Sequence, residues 1–357
     1  MVKIIHAADL HLGSKLSSLP KGDIKDNRKK EILKSFNRLI DYACNNDIHI
    51  ILFSGDVFDS DRPSKKDKDF FYGAIKAHPE ITFLYLKGNH DIEESLVEKY
   101  DNLFLFNDDN WSYYRFDNIV ISGIELSANN KSSLYSSLSL NSGDINITML
   151  HGDIHTKGKE FIDIKKLANK NINYLALGHI HSYEENKIDN RGVAIYSGCL
   201  DGRGFDELGN KGFVLLEIDE KTMQIRHQFI PFSSRVIKEI EVDISSANDL
   251  YSTQQIVKTY TDSLDKDLIL KIILKGTVNF DVSEINEDIY QFFKDSFYHL
   301  KVESELKQTI DINSYKNDFS LKGEFIRLVN NDEELKEEEK QDILNIALKV
   351  FNGEKLL

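Results

Sequence analysis

Residues 2–11 read Val2-Lys3-Ile4-Ile5-His6-Ala7-Ala8-Asp9-Leu10-His11. The apolar run Val2–Ala7 predicts a buried strand. Just past it stand two metal-ligand types, Asp9 and His11, two residues apart. Side chains alternate along a strand, so extended geometry continued past Ala7 would aim both at one point. The same sentence recurs four times downstream. Predicted strands at Ile48–Ser54, Thr82–Leu86, Ile145–Leu150 and Tyr174–Leu177 run into Gly55-Asp56, Gly88-Asn89-His90-Asp91, His151-Gly152 and Gly178-His179-Ile180-His181. The pair His179 and His181 repeats the spacing of Asp9 and His11. Glycine beside each ligand type permits sharp turns and close backbone approach.

Further strands are predicted at Ile119–Ile124, Val193–Tyr196, Phe213–Ile218 and Ile225–Phe229. Between the first two strands Ile32, Phe36, Leu39, Ile40 and Ala43 recur at helical spacing, which predicts an amphipathic helix. A strand–helix–strand opening is the α/β pattern. Sites in such folds form at the carboxyl ends of the strands, so five loops are expected to converge on one cleft. The donors there are imidazoles, carboxylates and one amide oxygen. This mixture suits Mn, Fe or Zn better than a calcium cage or a thiolate site. Three oxygen donors and four imidazoles are too many for one ion and divide naturally between two that share a carboxylate. Two divalent ions roughly 3.5–4 Å apart are an arrangement used for phosphoester cleavage.

These five blocks, in this order, resemble the calcineurin-like metallophosphoesterase superfamily. The stretches HAADLHLGS, GDVFDSDRPS, LGHIHS and YSGCLDGRGFDELGNKG are similar to the nuclease subunit of bacterial SbcCD-like complexes and to its YhaO-like relatives. The resemblance implies an α/β two-sheet metallophosphoesterase sandwich flanked by helices, with a small α+β capping domain and a C-terminal helix. It implies that Asp9, His11 and His181 hold one divalent ion, that Asn89, His151 and His179 hold a second, and that Asp56 bridges them. Mn2+ is the implied metal. His90 is implied as the acid that orients the phosphate or protonates the leaving oxygen, with Asp91 expected to orient His90. Archaeal and eukaryotic members of the family carry a histidine three residues after the bridging aspartate. Here that residue is Asp59, so a second imidazole at that point is not expected. The activity implied is DNA exo- and endonucleolytic hydrolysis, on double-stranded ends, hairpins or single strands. The alternative is a phosphodiesterase of small nucleotide diesters, or one acting on phosphoproteins. Implied partners are an SMC-family ATPase of the SbcC type and a second copy of the chain.

The resemblance covers residues 1–230, read as the nuclease domain. Pro231 follows the last strand of that series. Residues 231–307 carry strands at Val236–Ile244, Leu268–Leu274 and Leu300–Leu306 around a helix at Ile285–Phe293, a small α+β unit of capping type. Residues 308–322 begin with a polar, turn-rich stretch and read as a linker. Residues 323–357 read as a helical segment for the ATPase partner. Within it Leu335, Ile343, Ile346, Ala347, Val350 and Phe351 lie at helical spacing, with glutamates near the start and lysines toward the end.

Two basic stretches, Lys21–Lys30 and Arg62–Lys68, are candidates for DNA phosphate contact; the competing reading is a solvated helix start or loop. Arg203, between Gly202 and Gly204, is a second candidate of this kind beside Arg62, the alternative being support of its loop. The 357 residues carry 45 basic and 59 acidic side chains, a net charge of −14. That argues against a protein gripping DNA by its own field, although two bound cations would offset part of it. The two cysteines, Cys44 and Cys199, lie in unrelated contexts. They exclude a disulfide scaffold and a Cys-based zinc site, and suit a reducing cytoplasm. No membrane span or secretory leader is read from the sequence.

Overall fold

The computed structural model describes residues 1–20, 22–60, 62–91, 100–308 and 318–351. Lys21 and most of the predicted linker, 309–317, therefore lie outside the described residues. The chain divides into two compact units, Met1–Ile237 and Lys238–Leu357.

In the first unit the strands are β1 (Val2–Ala7), β2 (Ile50–Ser54), β3 (Thr82–Leu86), β4 (Leu103–Leu105), β5 (Ser112–Phe116), β6 (Ile119–Gly123), β7 (Ile145–His151), β8 (Tyr174–Gly178), β9 (Glu184–Lys187), β10 (Val193–Tyr196), β11 (Gly212–Asp219) and β12 (Gln224–Pro231). They build two six-stranded sheets, ordered β12-β11-β1-β2-β3-β4 and β5-β6-β7-β8-β10-β9. In the first sheet β1, β2, β3 and β4 are mutually parallel, and β11 pairs antiparallel with β1 and with the edge strand β12; in the second β6, β7, β8 and β10 are parallel, and antiparallel β5 and β9 close both edges. Alternation along the strands explains the layering. Ile4, Leu52 and Leu84 face Ile121, Ile147, Met149 and Ala176 of the other sheet in one core. Their neighbours Ile5, Ile51 and Phe53 face the opposite way, against Phe36, Leu39 and Ile40 of α1 (Asp23–Asn45) and Phe71 and Ile75 of α2 (Lys65–Ala77). The outer face of the second sheet, Leu150, Leu175 and Leu177, is covered by Trp111, Leu134 and Ile162. The two-sheet α/β sandwich is the one the resemblance implies.

Two features of this unit were not visible in the periodicity. Helix α2 starts in the basic stretch after Arg62, and Ser64 caps it by accepting from the Asp67 N–H. Arg28, counted among the basic residues of the first stretch, is fully buried. Its guanidinium pairs with Asp201 and donates to the Gly202 carbonyl at 2.7 Å. Asp201 also accepts from Ser35 Oγ at 2.6 Å and from the Ser234 N–H at 3.1 Å. Arg28 therefore ties α1 to the loop after β10, and its charge is not available to a phosphate.

In the second unit β13 (Ile237–Asp243), β14 (Ile269–Val278) and β15 (His299–Gln308) form a three-stranded sheet, with β14 and β15 parallel. It carries α4 (Leu250–Thr261) and α5 (Ile285–Phe293); the short helix Leu134–Ser137 of the first unit is α3. The C-terminal segment holds two helices rather than the single one expected. These are α6 (Leu321–Asn330) and α7 (Glu337–Phe351), packed through Ile326, Val329 and Leu344. Ser320, inside the stretch read as linker, is the cap that starts α6, accepting from the Gly323 N–H at 3.1 Å. No described helix is long and apolar enough to cross a membrane.

Candidate metal centre

The ends of β1, β2, β3, β7 and β8 come together, and with them all seven predicted donors. The backbone does not reach this arrangement in the expected way. Extended geometry stops at Ala7: Asp9 and His11 have φ of 51° and 45°, Asp56 has 51° and His179 has 105°. Positive φ in non-glycine residues is costly, and here it turns each chain sharply so that a donor faces the cleft. Gly55 makes the same kind of turn at φ 94°. A side chain on Gly55 would collide with the His151 ring, and one on Gly88 with Asp56. Both glycines are thus required for space.

Asp9, Asp56, His11 and His151 are buried, His179 and His181 half-buried, and Asn89 exposed. The cluster therefore opens to solvent on one side. Donor atoms of Asp9, His11 and His181 all lie within 4.8 Å of one another, as do those of Asp9, Asp56 and His151. On the first side His11 Nε2 and His181 Nε2 are 3.1 Å apart, with His181 Nε2 3.9 Å from Asp9 and His11 Nε2 4.0 Å from Asp56. On the second side Asn89 Oδ1 lies 3.1 Å from His151 Nε2 and 3.2 Å from His179 Nδ1. Asp56 Oδ2 is 3.4 Å from His151 Nε2, so this one carboxylate faces both sides.

What stands behind the imidazoles decides which nitrogen is bare. His151 Nδ1–H donates to the Ser54 carbonyl at 2.9 Å. His181 Nδ1–H donates to Glu207 at 2.7 Å. His11 Nδ1 faces Asp59 at 3.3 Å. Each of these rings then turns Nε2 inward. Two imidazole nitrogens 3.1 Å apart beside carboxylates can hold either a proton or a cation between them. The donor set thus fits divalent ions on both sides of Asp56.

The charges of the cluster are coupled, so that imidazoles and carboxylates stabilise one another's charged forms. Burial acts to raise the Asp56 carboxyl, yet His151 and His11 hold it well below the usual range. Burial acts to lower His151, and the Asp56 carboxylate overrides it, carrying the ring up to about 9. Glu207 is likewise held far down, against its burial, by His181 and Arg203.

Sequence reasoning missed Glu207, although it lies within the stretch YSGCLDGRGFDELGNKG, and left Asp59 and Arg203 without a settled role. Arg203 donates to Asp59 at 2.6 Å and to Glu207 at 2.6 and 2.9 Å. Its guanidinium joins the two carboxylates behind His11 and His181, so loop support is the geometry found. Asp91 accepts from the backbone N–H groups of Val57, Phe58 and Gly88 at 2.9–3.1 Å. It acts on the turn that carries Asn89 and His90, clamping that turn to the Asp56 loop. The His90 N–H donates to Asp56 Oδ1 at 2.9 Å, and the His90 ring packs edge-on to His11 with centroids 5.3 Å apart. Arg62 is exposed in the loop before α2. His155 is an exposed partner of Glu184, 2.9 Å away.

Two stacked sheets with a cluster of imidazole, carboxylate and amide donors at their strand ends define a metal-dependent phosphoesterase. The family model for calcineurin-like phosphoesterases matches residues 2–183, and the chain belongs to that family. It is 25% identical over 298 residues to the DNA double-strand break repair protein Mre11 of Sulfolobus acidocaldarius, spanning 78% of this chain and 76% of that one. It is 27% identical over 299 residues to the uncharacterized metallophosphoesterase YhaO of Bacillus subtilis, spanning 76% and 71%. With the Mre11 protein of Saccharolobus solfataricus the identity is 25%, across 99% of this chain and 96% of that one.

Proposed function

We propose that this chain is a two-metal DNA exo- and endonuclease, the nuclease subunit of an SbcCD-like repair complex. The observation that carries the reading is the set of inward Nε2 atoms gathered around Asp56, in a chain similar to Mre11 proteins along most of its length. Asp9, His11 and His181 would hold one ion, Asn89, His151 and His179 the other, and Asp56 both. Mn2+ is the expected metal. Bound divalent ions supply acidity to water and neutralise phosphate charge. His90, fixed by its N–H to Asp56 and by its packing on His11, gives a proton to the departing oxygen. Asp59, Arg203 and Glu207 keep the rings of His11 and His181 in the tautomer that turns Nε2 inward.

The substrate reading has support of its own. A cavity of about 430 Å³ lies between the two basic stretches and is lined by Lys29, Lys30 and Lys66 beside Gly13 and Ser14, two and three residues after His11. A DNA strand leaving the cleft would meet these amines, with Arg62 nearby in sequence. Double-stranded ends, hairpins and single strands are the expected substrates. Helices α6 and α7 expose Leu321, Leu328, Ile346 and Val350, which fits docking to an SMC-type ATPase. A homodimer in the cytoplasm completes the proposal.

The test is an assay with Mn2+ on linear duplex DNA, hairpin DNA, bis-p-nitrophenyl phosphate and cyclic nucleotides, with and without the ATPase encoded by the same cell. Cleavage of DNA is the expected result. Hydrolysis of the small diesters alone, in both conditions, would overturn the DNA reading in favour of a small-molecule phosphodiesterase.

A further inference from the structure

We propose that Cys44, His78 and Glu80 form a separate site for a single zinc ion, at the end of the first sheet opposite the strand-end cleft. Cys44 lies in the last turn of α1, just before β2, and His78 and Glu80 lie in the turn between α2 and β3. The strand-end donors follow β1, β2 and β3, so the two clusters occupy opposite ends of the same parallel strands.

The three donor atoms stand at the corners of a triangle. Cys44 Sγ is 3.7 Å from His78 Nδ1 and 3.6 Å from Glu80 Oε1, and His78 Nδ1 is 3.0 Å from Glu80 Oε1. Tetrahedral zinc with ordinary bond lengths sets its ligands about 3.5 Å apart for sulfur with nitrogen, about 3.5 Å for sulfur with oxygen and about 3.3 Å for nitrogen with oxygen. The observed edges differ from these by a few tenths of an ångström. An ion pair between His78 and Glu80 alone would account for one edge. It does not account for a thiol within reach of both partners.

The surroundings favour a cation. No basic residue stands in the last turn of α1, so the negative end of that helix is uncompensated where Cys44 sits. Asp41 and Glu80 act on the Cys44 thiol in the same electrostatic sense, and burial, slight as it is, acts first. The frame is also preformed. Asn102 Nδ2 donates to the carbonyls of Ile75, His78 and Ile81 at 2.9–3.0 Å, holding the turn that carries His78 and Glu80. His49 lies 3.2 Å from the Glu80 carbonyl through Nδ1 and 3.0 Å from Asp47 through Nε2, which keeps its ring engaged elsewhere. Cys44 and Glu80 are exposed and His78 is half-buried, so the fourth position faces water. A thiolate, an imidazole and a carboxylate are borderline-to-soft donors that select zinc over manganese or magnesium. Binding breaks the Cys44 S–H bond, forms a sulfur–zinc bond and releases one proton to solvent. Counting cysteines argued against a thiolate zinc site; one thiolate assisted by His78 and Glu80 needs no second cysteine.

The test labels the thiols of the full-length chain with iodoacetamide and locates the label by peptide mapping. Cys199 is fully buried, so Cys44 is the thiol that reacts. Zinc at ten times its dissociation constant should slow labelling of Cys44 about tenfold, and manganese or magnesium should not. His78→Ala and Glu80→Gln should lose that protection, and Co2+ should give a thiolate charge-transfer band that Cys44→Ser abolishes. An unchanged labelling rate in zinc, or equal protection in His78→Ala, would overturn the proposal. These readouts do not involve phosphodiester hydrolysis, so they stand or fall independently of the nuclease reading.

Discussion

His6 and His151 are both fully buried in the first unit, and their surroundings drive them in opposite directions. His6 lies between the sheets on the same side of β1 as Ile4, its Nδ1 2.9 Å from the Tyr174 hydroxyl. Burial there disfavours the charged ring and takes its pKa from 6.5 down to about 3. His151 stands at a strand end facing Asp56, and that carboxylate carries it up to about 9 against the same desolvation. The difference teaches that burial alone does not set protonation in this molecule. The space between the sheets rejects charge. The strand-end cleft, reached at the last residue of β7, collects carboxylates and imidazoles that a proton or a cation would satisfy.

Removing the carboxylate that makes the cleft different should have the largest effect. Asp56→Ala takes a donor from both sides at once. Metal content measured by plasma emission should fall to near zero, and turnover of a phosphodiester should drop by about 10⁴-fold. Retention of two ions would mean that Asp56 does not join the two sides. Next comes His90→Ala, which leaves all seven donors in place. Turnover should fall by about 10³-fold with metal content unchanged. Loss of both ions in this variant would make His90 a ligand and remove its role as proton donor.

A finer comparison lies within the cleft. His181 is backed by a carboxylate that Arg203 also engages, whereas His151 is backed by the Ser54 carbonyl. Glu207→Ala should therefore weaken one ion by about 10- to 100-fold and spare the other. Manganese titration followed by electron paramagnetic resonance resolves the two affinities. Equal weakening of both would show that the halves are not separately supported.

The smallest effect probes the space between the sheets. The folded state keeps His6 neutral down to about pH 3, while the unfolded chain takes up a proton below 6.5. The unfolded state then binds more protons, so stability falls as pH drops below 6.5. Between pH 6.5 and 5 the contribution amounts to about 2 kcal/mol. His6→Gln should flatten that part of the urea-midpoint profile. An unchanged slope would assign the acid sensitivity elsewhere.

The strand-end pattern was enough to bring out the donors. Alternating apolar runs followed by Asp, His and Asn are a local signal, because a buried strand needs an unbroken apolar stretch and the chain can change character only where it ends. For the same reason β1, β2, β3, β7 and β8 and helix α1 were legible from residue order, while the two-sheet layering came from the family resemblance of the motifs. Two things were not legible. The left-handed turns at Asp9, His11, Asp56 and His179 are held by the neighbouring loops, as when the Asp9 N–H donates to the Gly55 carbonyl at 3.0 Å, and the modest tendency of Asp and His toward positive φ is too weak to announce them. Arg28 reads as one of several basic residues, yet the fold buries it against Asp201.

What the order of residues determined by itself is the set of strands, their apolar faces and the polar residues that follow them, since these depend on spacing along one chain. Only the tertiary structure decided which polar side chains meet. Glu207, Arg203 and Asp59 join behind two imidazoles although Arg203 and Asp59 lie 144 positions apart, and Cys44 finds His78 and Glu80 more than thirty positions away. Charge and coordination act through space over a few ångströms, so partners this distant in sequence become readable only once the sheets have closed.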